Sequence, residues 1–261
     1  MISTATSATV AVVTLLVLVA GATNGIAGFG FAVVGTMALA TMIDPATAVV
    51  FMIIPILAVN VSLVRDLSRR ELRSCSRRFW PLVGSALVGT VVGMGILDSL
   101  PEAPLRVGLG LLTLGFVVTT QRRVPLPGWV TLGDGEVGKS RPGMVGVGGV
   151  SGLLFGGTNV GVQLIAYLRS FDLSHGLFVG VVAMVFLGLN GIRVAVAGAF
   201  GLYPSTAVLA ASLVAVVPAV AGVAVGKRLR SSVGEHARRT VVLSLLTLIG
   251  IRLVTGGLGI A

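Results

Sequence analysis

Gly21-Ala22-Thr23-Asn24-Gly25-Ile26-Ala27-Gly28-Phe29-Gly30-Phe31 and Gly148-Gly149-Val150-Ser151-Gly152-Leu153-Leu154-Phe155-Gly156-Gly157-Thr158-Asn159 are two versions of one stretch. Gly21, Gly25 and Gly30 recur at the same spacing as Gly148, Gly152 and Gly157. Each copy interrupts an apolar run that otherwise reads as one helix, because glycine is a poor helix former and leaves backbone amides uncovered. In hydrocarbon, uncovered backbone is tolerated only where it is buried in protein or lines a cavity. A duplicated glycine-rich break at membrane depth therefore points to a binding site.

The membrane setting follows from composition. The 261 residues are 55% hydrophobic and 11% charged, with a mean hydropathy of +1.03, whereas soluble domains carry roughly a quarter charged residues. The formal charge of +10 is gathered in three segments. Arginines 65, 69, 70, 73, 77 and 78 form the first, Arg122, Arg123, Lys139 and Arg141 the second, and Lys227, Arg228, Arg230, Arg238 and Arg239 the third. Basic loops next to apolar spans stay on the cytoplasmic side. No aromatic residues interleave with these arginines as a nucleic-acid surface would require, so no nucleic-acid partner is expected. The single cysteine, Cys75, has no partner for an internal disulfide. No basic run precedes the first apolar segment, so residues 1–20 are expected to remain in the mature fold. His175 and His236 stand alone without a second ligand at metal spacing, and neither a metal nor another cofactor is expected.

Taken in order, apolar pieces 9–20 and 31–42 flank the first glycine stretch. At about 1.5 Å per residue each spans only about half of a ~30 Å core. The pair reads as a broken spanning helix or as a re-entrant hairpin. Crossings follow at 46–64, from Trp80 to 97, and at 105–120. A connector at 121–142, rich in Pro, Gly and charge, separates this half from a second one with the same plan: short pieces to Phe155 and to Leu168, then crossings at 174–196, 207–226 and from 240 to about 255. Asp44 and Arg65 recur as Asp172 and Arg193. Gly89, Gly93, Glu102 and Arg106 recur as Gly222, Gly226, Glu235 and Arg239. The period of about 130 residues is too long for a solenoid and indicates a two-fold internal repeat. The basic segment 65–78 has an uncharged counterpart at 198–205, and the acidic loop 98–104 a basic one at 227–238, so the repeats are expected to be inverted. The resulting expectation is an all-α polytopic membrane protein of two inverted repeats, 1–120 and 143–261, joined by a cytoplasmic linker at 121–142. Each repeat is a glycine-broken re-entrant hairpin plus three transmembrane helices.

Opposed hairpins would bring their glycine elbows together near the midplane. Helices starting near Phe31 and near Asn159 would then aim unsatisfied amides and positive dipole ends at the meeting point, which favours an anion. Gly25, Gly28, Gly30, Gly156 and Gly157 shape the elbows, while Thr23, Asn24, Thr158, Asn159 and Gln163 add neutral polar groups. Asn60 and Asn190 are candidates for the pathway. Arg193, inside an apolar run, is the best single cation for attracting an anion, since a charge there is costly unless it serves a function. No carboxylate falls within a predicted membrane core, so a cation-selecting lining is absent. The expected partners are a small anionic substrate and the lipid bilayer.

The duplicated stretches Gly21–Phe31 and Gly148–Asn159, each followed by a short apolar helix and a crossing, with helices ending in Gly-x3-Gly and a basic loop, resemble the sulfite exporter TauE/SafE family over nearly the whole chain. The resemblance implies a permease of the prokaryotic cytoplasmic membrane for sulfite, sulfonates, sulfoacetate or related oxyanions. The chain departs from the family's glycine pattern at Phe155, where the first repeat has Gly28, so the two elbows are not expected to pack alike. Two other classes compete with transport. An intramembrane enzyme would need a nucleophile with a buried base or a metal cluster, and the serines and threonines here have neither. A non-transporting scaffold would tolerate replacement of the elbow Asn and Thr residues.

Overall fold

The computed structural model describes residues 7–27, 30–64, 69–97, 99–120, 140–169, 171, 173, 175–229, 232 and 234–260. Among these the ordered elements are helices and no strand occurs. In chain order they are α1 (Ser7–Ala27), α2 (Phe31–Ala40), α3 (Pro45–Val64), α4 (Arg69–Leu97), α5 (Glu102–Thr120), α6 (Arg141–Thr158), α7 (Val162–Arg169), α8 (His175–Ala199), α9 (Thr206–Val214), α10 (Val216–Leu229) and α11 (Glu235–Gly257). Among the described residues five stretches are long and apolar enough to cross a membrane: Thr9–Ile26, Pro45–Ser62, Arg77–Leu97, Gly180–Ala199 and Thr206–Leu229. The connector at 121–139 and the loop arginines 65, 122, 123 and 230 lie outside the described residues.

The glycine stretches do not break the helices where composition suggests. α1 runs through Gly21 and Gly25 to Ala27, and α6 runs through Gly148, Gly152 and Gly156 to Thr158. The interruptions come at the far ends, before α2 at Gly30 and between α6 and α7 at residues 159–161. The expected half-length pieces 9–20 and 143–155 are thus replaced by helices of 21 and 18 residues. The reason is packing, because most of these glycines sit where another helix backbone passes at contact distance.

The helices form two compact units, each drawing on both sides of the connector. The first contains α1, α2, most of α3, α5, α9, α10 and α11. Its tightest joint is α1 against α10. A methyl group added to Gly25 would fall 2.7 Å from Lys227 N and 2.8 Å from Gly226 Cα, and one on Gly222 would fall 3.0 Å from Ala22 N. α5 lies along α11, where Gly110, Gly250 and Gly257 allow a similar approach. α3 supplies much of the buried interior through Val49, Phe51, Met52 and Ile53. Pro55 cannot donate to the carbonyl of Phe51, four residues earlier. Ser212 on α9 donates to that oxygen instead, at 2.5 Å. Pro218 removes the donor for Val214 in the same way, and the chain turns at Ala215, splitting one apolar run into α9 and α10.

The second unit contains α4, α6, α7 and α8. α4 packs on α6 through Gly89 and Gly93, whose added methyls would meet Gly149 O, Leu153 N and Leu153 O, while Gly148, Gly152 and Gly156 face the carbonyls of Leu82, Ala86 and Thr90. In the sequence Gly89 and Gly93 recur as Gly222 and Gly226, and Gly21 and Gly25 as Gly148 and Gly152. The same four-glycine joint is therefore built once in each unit. Beside it lies an aromatic core in which Phe171 meets Phe79 and Tyr167 edge-on at 5.1 Å, and Phe155 meets Phe186 at 5.0 Å.

Overpacking such a joint costs about 1–3 kcal/mol. Gly152→Ala is expected to lower the thermal unfolding midpoint of the detergent-solubilised protein, since its methyl meets the Ala86 backbone. Gly146→Ala, on the same helix with open space around it, should leave the midpoint unchanged or raise it by the ~0.5–1 kcal/mol that alanine gains over glycine in a helix. Equal effects of the two substitutions would refute the packing role.

Candidate anion site at the helix breaks

The break after α6 is built around Asn159, the only non-glycine residue with positive φ among the described residues (φ 60°). Asparagine tolerates this left-handed geometry better than most residues, and it ends helices there. Its N–H donates to Phe155 O at 2.9 Å. The next amide, of Val160, would ordinarily reach Gly156 O, but it donates to Thr158 Oγ1 at 3.1 Å. Gly156 O is thereby left without its helical donor, at the negative end of a helix.

Arg193 fills this vacancy. It projects from α8, is fully buried at 0% exposure, and donates from Nη2 to Gly156 O at 3.3 Å. Nη1 donates to Asn159 Oδ1 and, at 3.4 Å, to Asn190 Oδ1. The guanidinium carbon lies 4.9 Å from the centre of the Phe155 ring, a cation–π distance. Asn190 is itself buried and oriented by its Nδ2 bond to Phe186 O at 2.8 Å. These three acceptors are neutral oxygens, and they orient the guanidinium. α7 begins three residues after Asn159, at Val162, and Gln163 in its first turn has a buried Oε1 with no hydrogen-bond partner.

The break before α2 is different in character. Gly30 adopts φ 104°, with open space around it. Phe31 N donates to Asn24 Oδ1 at 3.4 Å, so a side chain from α1 caps α2. Asn24 is 5% exposed, and its Nδ2 is buried without an acceptor. Arg65, which the sequence pattern pairs with Arg193, lies outside the described residues.

The candidate residues therefore separate. Asn159, Arg193, Asn190 and Gly156 come together in the second unit, and Asn24, Gly30 and Phe31 in the first. Thr23 and Thr158 both turn back onto their own helices, bonding Val19 O at 2.9 Å and Leu154 O at 2.5 Å. Gly25 and Gly156 direct their hydrogen faces at α10 and α4, and Gly157 approaches Gly93 O. Gly28 lies outside the described residues. Asn60 is buried near the end of α3. Phe155 was not among the candidate site residues, although its standing where the first repeat has glycine is the signal that could have found it. Among the described residues no group of three or more His, Cys, Asp or Glu is positioned to hold a metal.

The family model of the sulfite exporter TauE/SafE family matches residues 13–253, which include both breaks and both glycine joints. The chain belongs to the sulfite exporter TauE/SafE family. No curated protein and no solved structure matches it significantly. Membership in this transporter family, together with the five apolar stretches of spanning length, makes the chain a multi-pass membrane protein of a transporter family.

Losing a buried hydrogen bond to a charged group costs about 1.5–3 kcal/mol, and alanine in the left-handed region about 1–2 kcal/mol more. Thermal stability in detergent is expected to fall in the order wild type, Asn159→Gly, Asn159→Ala. If alanine matched glycine, the left-handed backbone at this position would not be required.

Proposed function

We propose that this TauE/SafE protein is a permease for small sulfur-containing oxyanions such as sulfite, sulfonates or sulfoacetate, with the anion held at the break between α6 and α7. The observation that carries the reading is the fully buried guanidinium of Arg193, oriented by neutral oxygens over the Phe155 ring. An anion beside it gains a cation in a low-dielectric setting, together with the unsatisfied amides at the start of α7. Asn24 and the first turn of α2 offer a second, uncharged set of donors, with Asn24 Nδ2 lacking an acceptor. The finer parts of the proposal are transport by alternating access, inverted repeats with re-entrant elbows, and residence in a prokaryotic cytoplasmic membrane with the basic segments inside.

Arg193 also completes the end of α6, and that role alone would suit a scaffold. Uptake assays in proteoliposomes separate the two roles. Wild type is expected to take up sulfite or sulfoacetate saturably, with sulfate and acetate tested alongside. Arg193→Gln is expected to reduce uptake at least about thirtyfold, in line with the 2–5 kcal/mol range for truncating one partner of a buried charge pair. Arg193→Lys should retain part of it with a raised KM, and the double substitution Asn24→Ala, Asn159→Ala should reduce it as well. Undiminished uptake by folded Arg193→Gln would remove the arginine from the site. Absence of uptake of every anion by folded wild type would sink the permease reading.

A further inference from the structure

The first unit carries an open-sided groove of about 430 Å³, bordered by α1, the end of α2 and α11. Leu16, Met42, Leu248 and Ile249 form its apolar wall, and Thr41 and Arg252 are its polar members. Arg252 is exposed on α11, with Val241–Ile251 before it broken only by Ser244 and Thr247, and with Leu253 and Val254 after it. Its carbonyl accepts from Thr255 Oγ1 at 3.2 Å. Its guanidinium makes no hydrogen bond or ion pair with the described residues.

Depth along the helix locates this charge. Arg238 and Arg239 stand at the start of α11, and Arg252 follows thirteen residues later, about 20 Å further along the axis. With α11 taken as a crossing, Arg252 falls in the half of the ~30 Å core opposite Arg238 and Arg239, within a long side chain's reach of that surface, where the positive-inside tendency disfavours a basic residue. Gly257, about a turn and a half beyond, is packed against Ala103 and Val107 of α5. Leu248, one turn deeper than Arg252, shares its face at i−4 spacing. The groove thus pairs a cation near headgroup depth with an apolar wall running toward the bilayer interior. A soluble oxyanion would match the first feature and gain nothing from the second. An amphiphile with an anionic head matches both.

We propose that this groove is a binding site for one anionic phospholipid, its phosphate on Arg252 and an acyl chain along Leu248, Ile249 and Leu16. Simple snorkelling of the arginine toward headgroups would give no preference for a particular lipid and no dependence on the groove wall. The test is native mass spectrometry of the full-length protein with phosphatidylglycerol or phosphatidylcholine of identical chains. Wild type is expected to retain one phosphatidylglycerol with about fivefold preference, the scale set by one basic residue facing an anionic head. Arg252→Gln should lose the preference and Arg252→Lys should keep it. Leu248→Trp, which fills the groove without touching the charge, should release the lipid. Equal retention of both lipids by wild type, or an unchanged preference in Arg252→Gln or Leu248→Trp, would overturn the proposal. Displacement of the lipid by millimolar inorganic phosphate would also overturn it, assigning Arg252 to a soluble anion.

Discussion

Inside a bilayer, a backbone group that loses its helical partner must find another within the protein, because no water is at hand to replace it. Among the described residues, three examples show that demand met by a side chain. Pro55 deprives Phe51 O of a donor and Ser212 supplies one. The first amide of α2 finds Asn24 Oδ1. Gly156 O, bypassed when Val160 turns to Thr158, receives Arg193. Only the last of these replacements is charged, and the proposed anion site rests on it. Its cost in structure is a cation deep in the protein, oriented by two asparagines and an aromatic face.

The glycines belong to a different part of the design. Those of the two duplicated stretches mostly sit in continuous helix, and their missing side chains let α1 approach α10 and α4 approach α6. Membrane helices, which have little hydrophobic incentive to associate, are held by close packing of this kind. Because each joint takes one helix from each side of the connector, neither compact unit is a contiguous piece of sequence.

Much of this was legible beforehand. Hydropathy and charge clustering are properties of side chains alone, and they identified the class and most of the apolar helices, while the duplicated glycine stretches and the order of elements carried the family resemblance. Glycine positions and charges recur in order along the two halves of the sequence. What misled was the dual use of glycine. The same residue that weakens a helix in isolation strengthens a helix pair, and the choice depends on whether a partner backbone is present, which for Gly25 means residues 223–227, far along the chain. Arg193 and Asn159 were recognisable as a buried charge and a polar residue at a break. Their contact was not, because it joins α6 and α8 across more than thirty positions. Phe155 read as a departure from a pattern, and its place under the guanidinium emerged only from the fold.

The pairing of α1 with α10 bears on how the chain is made. α4 and α6 are close in the order of synthesis, with only α5 and the connector between them. α1 enters the bilayer roughly 190 residues before α10 is translated, and domains tend to complete themselves as their segments emerge. Until then its face of Gly21, Ala22 and Gly25 has no helix to meet. α1 thus belongs to a joint that closes late, and for most of translation it depends on lipid or on the insertion machinery to shelter a surface shaped for another helix.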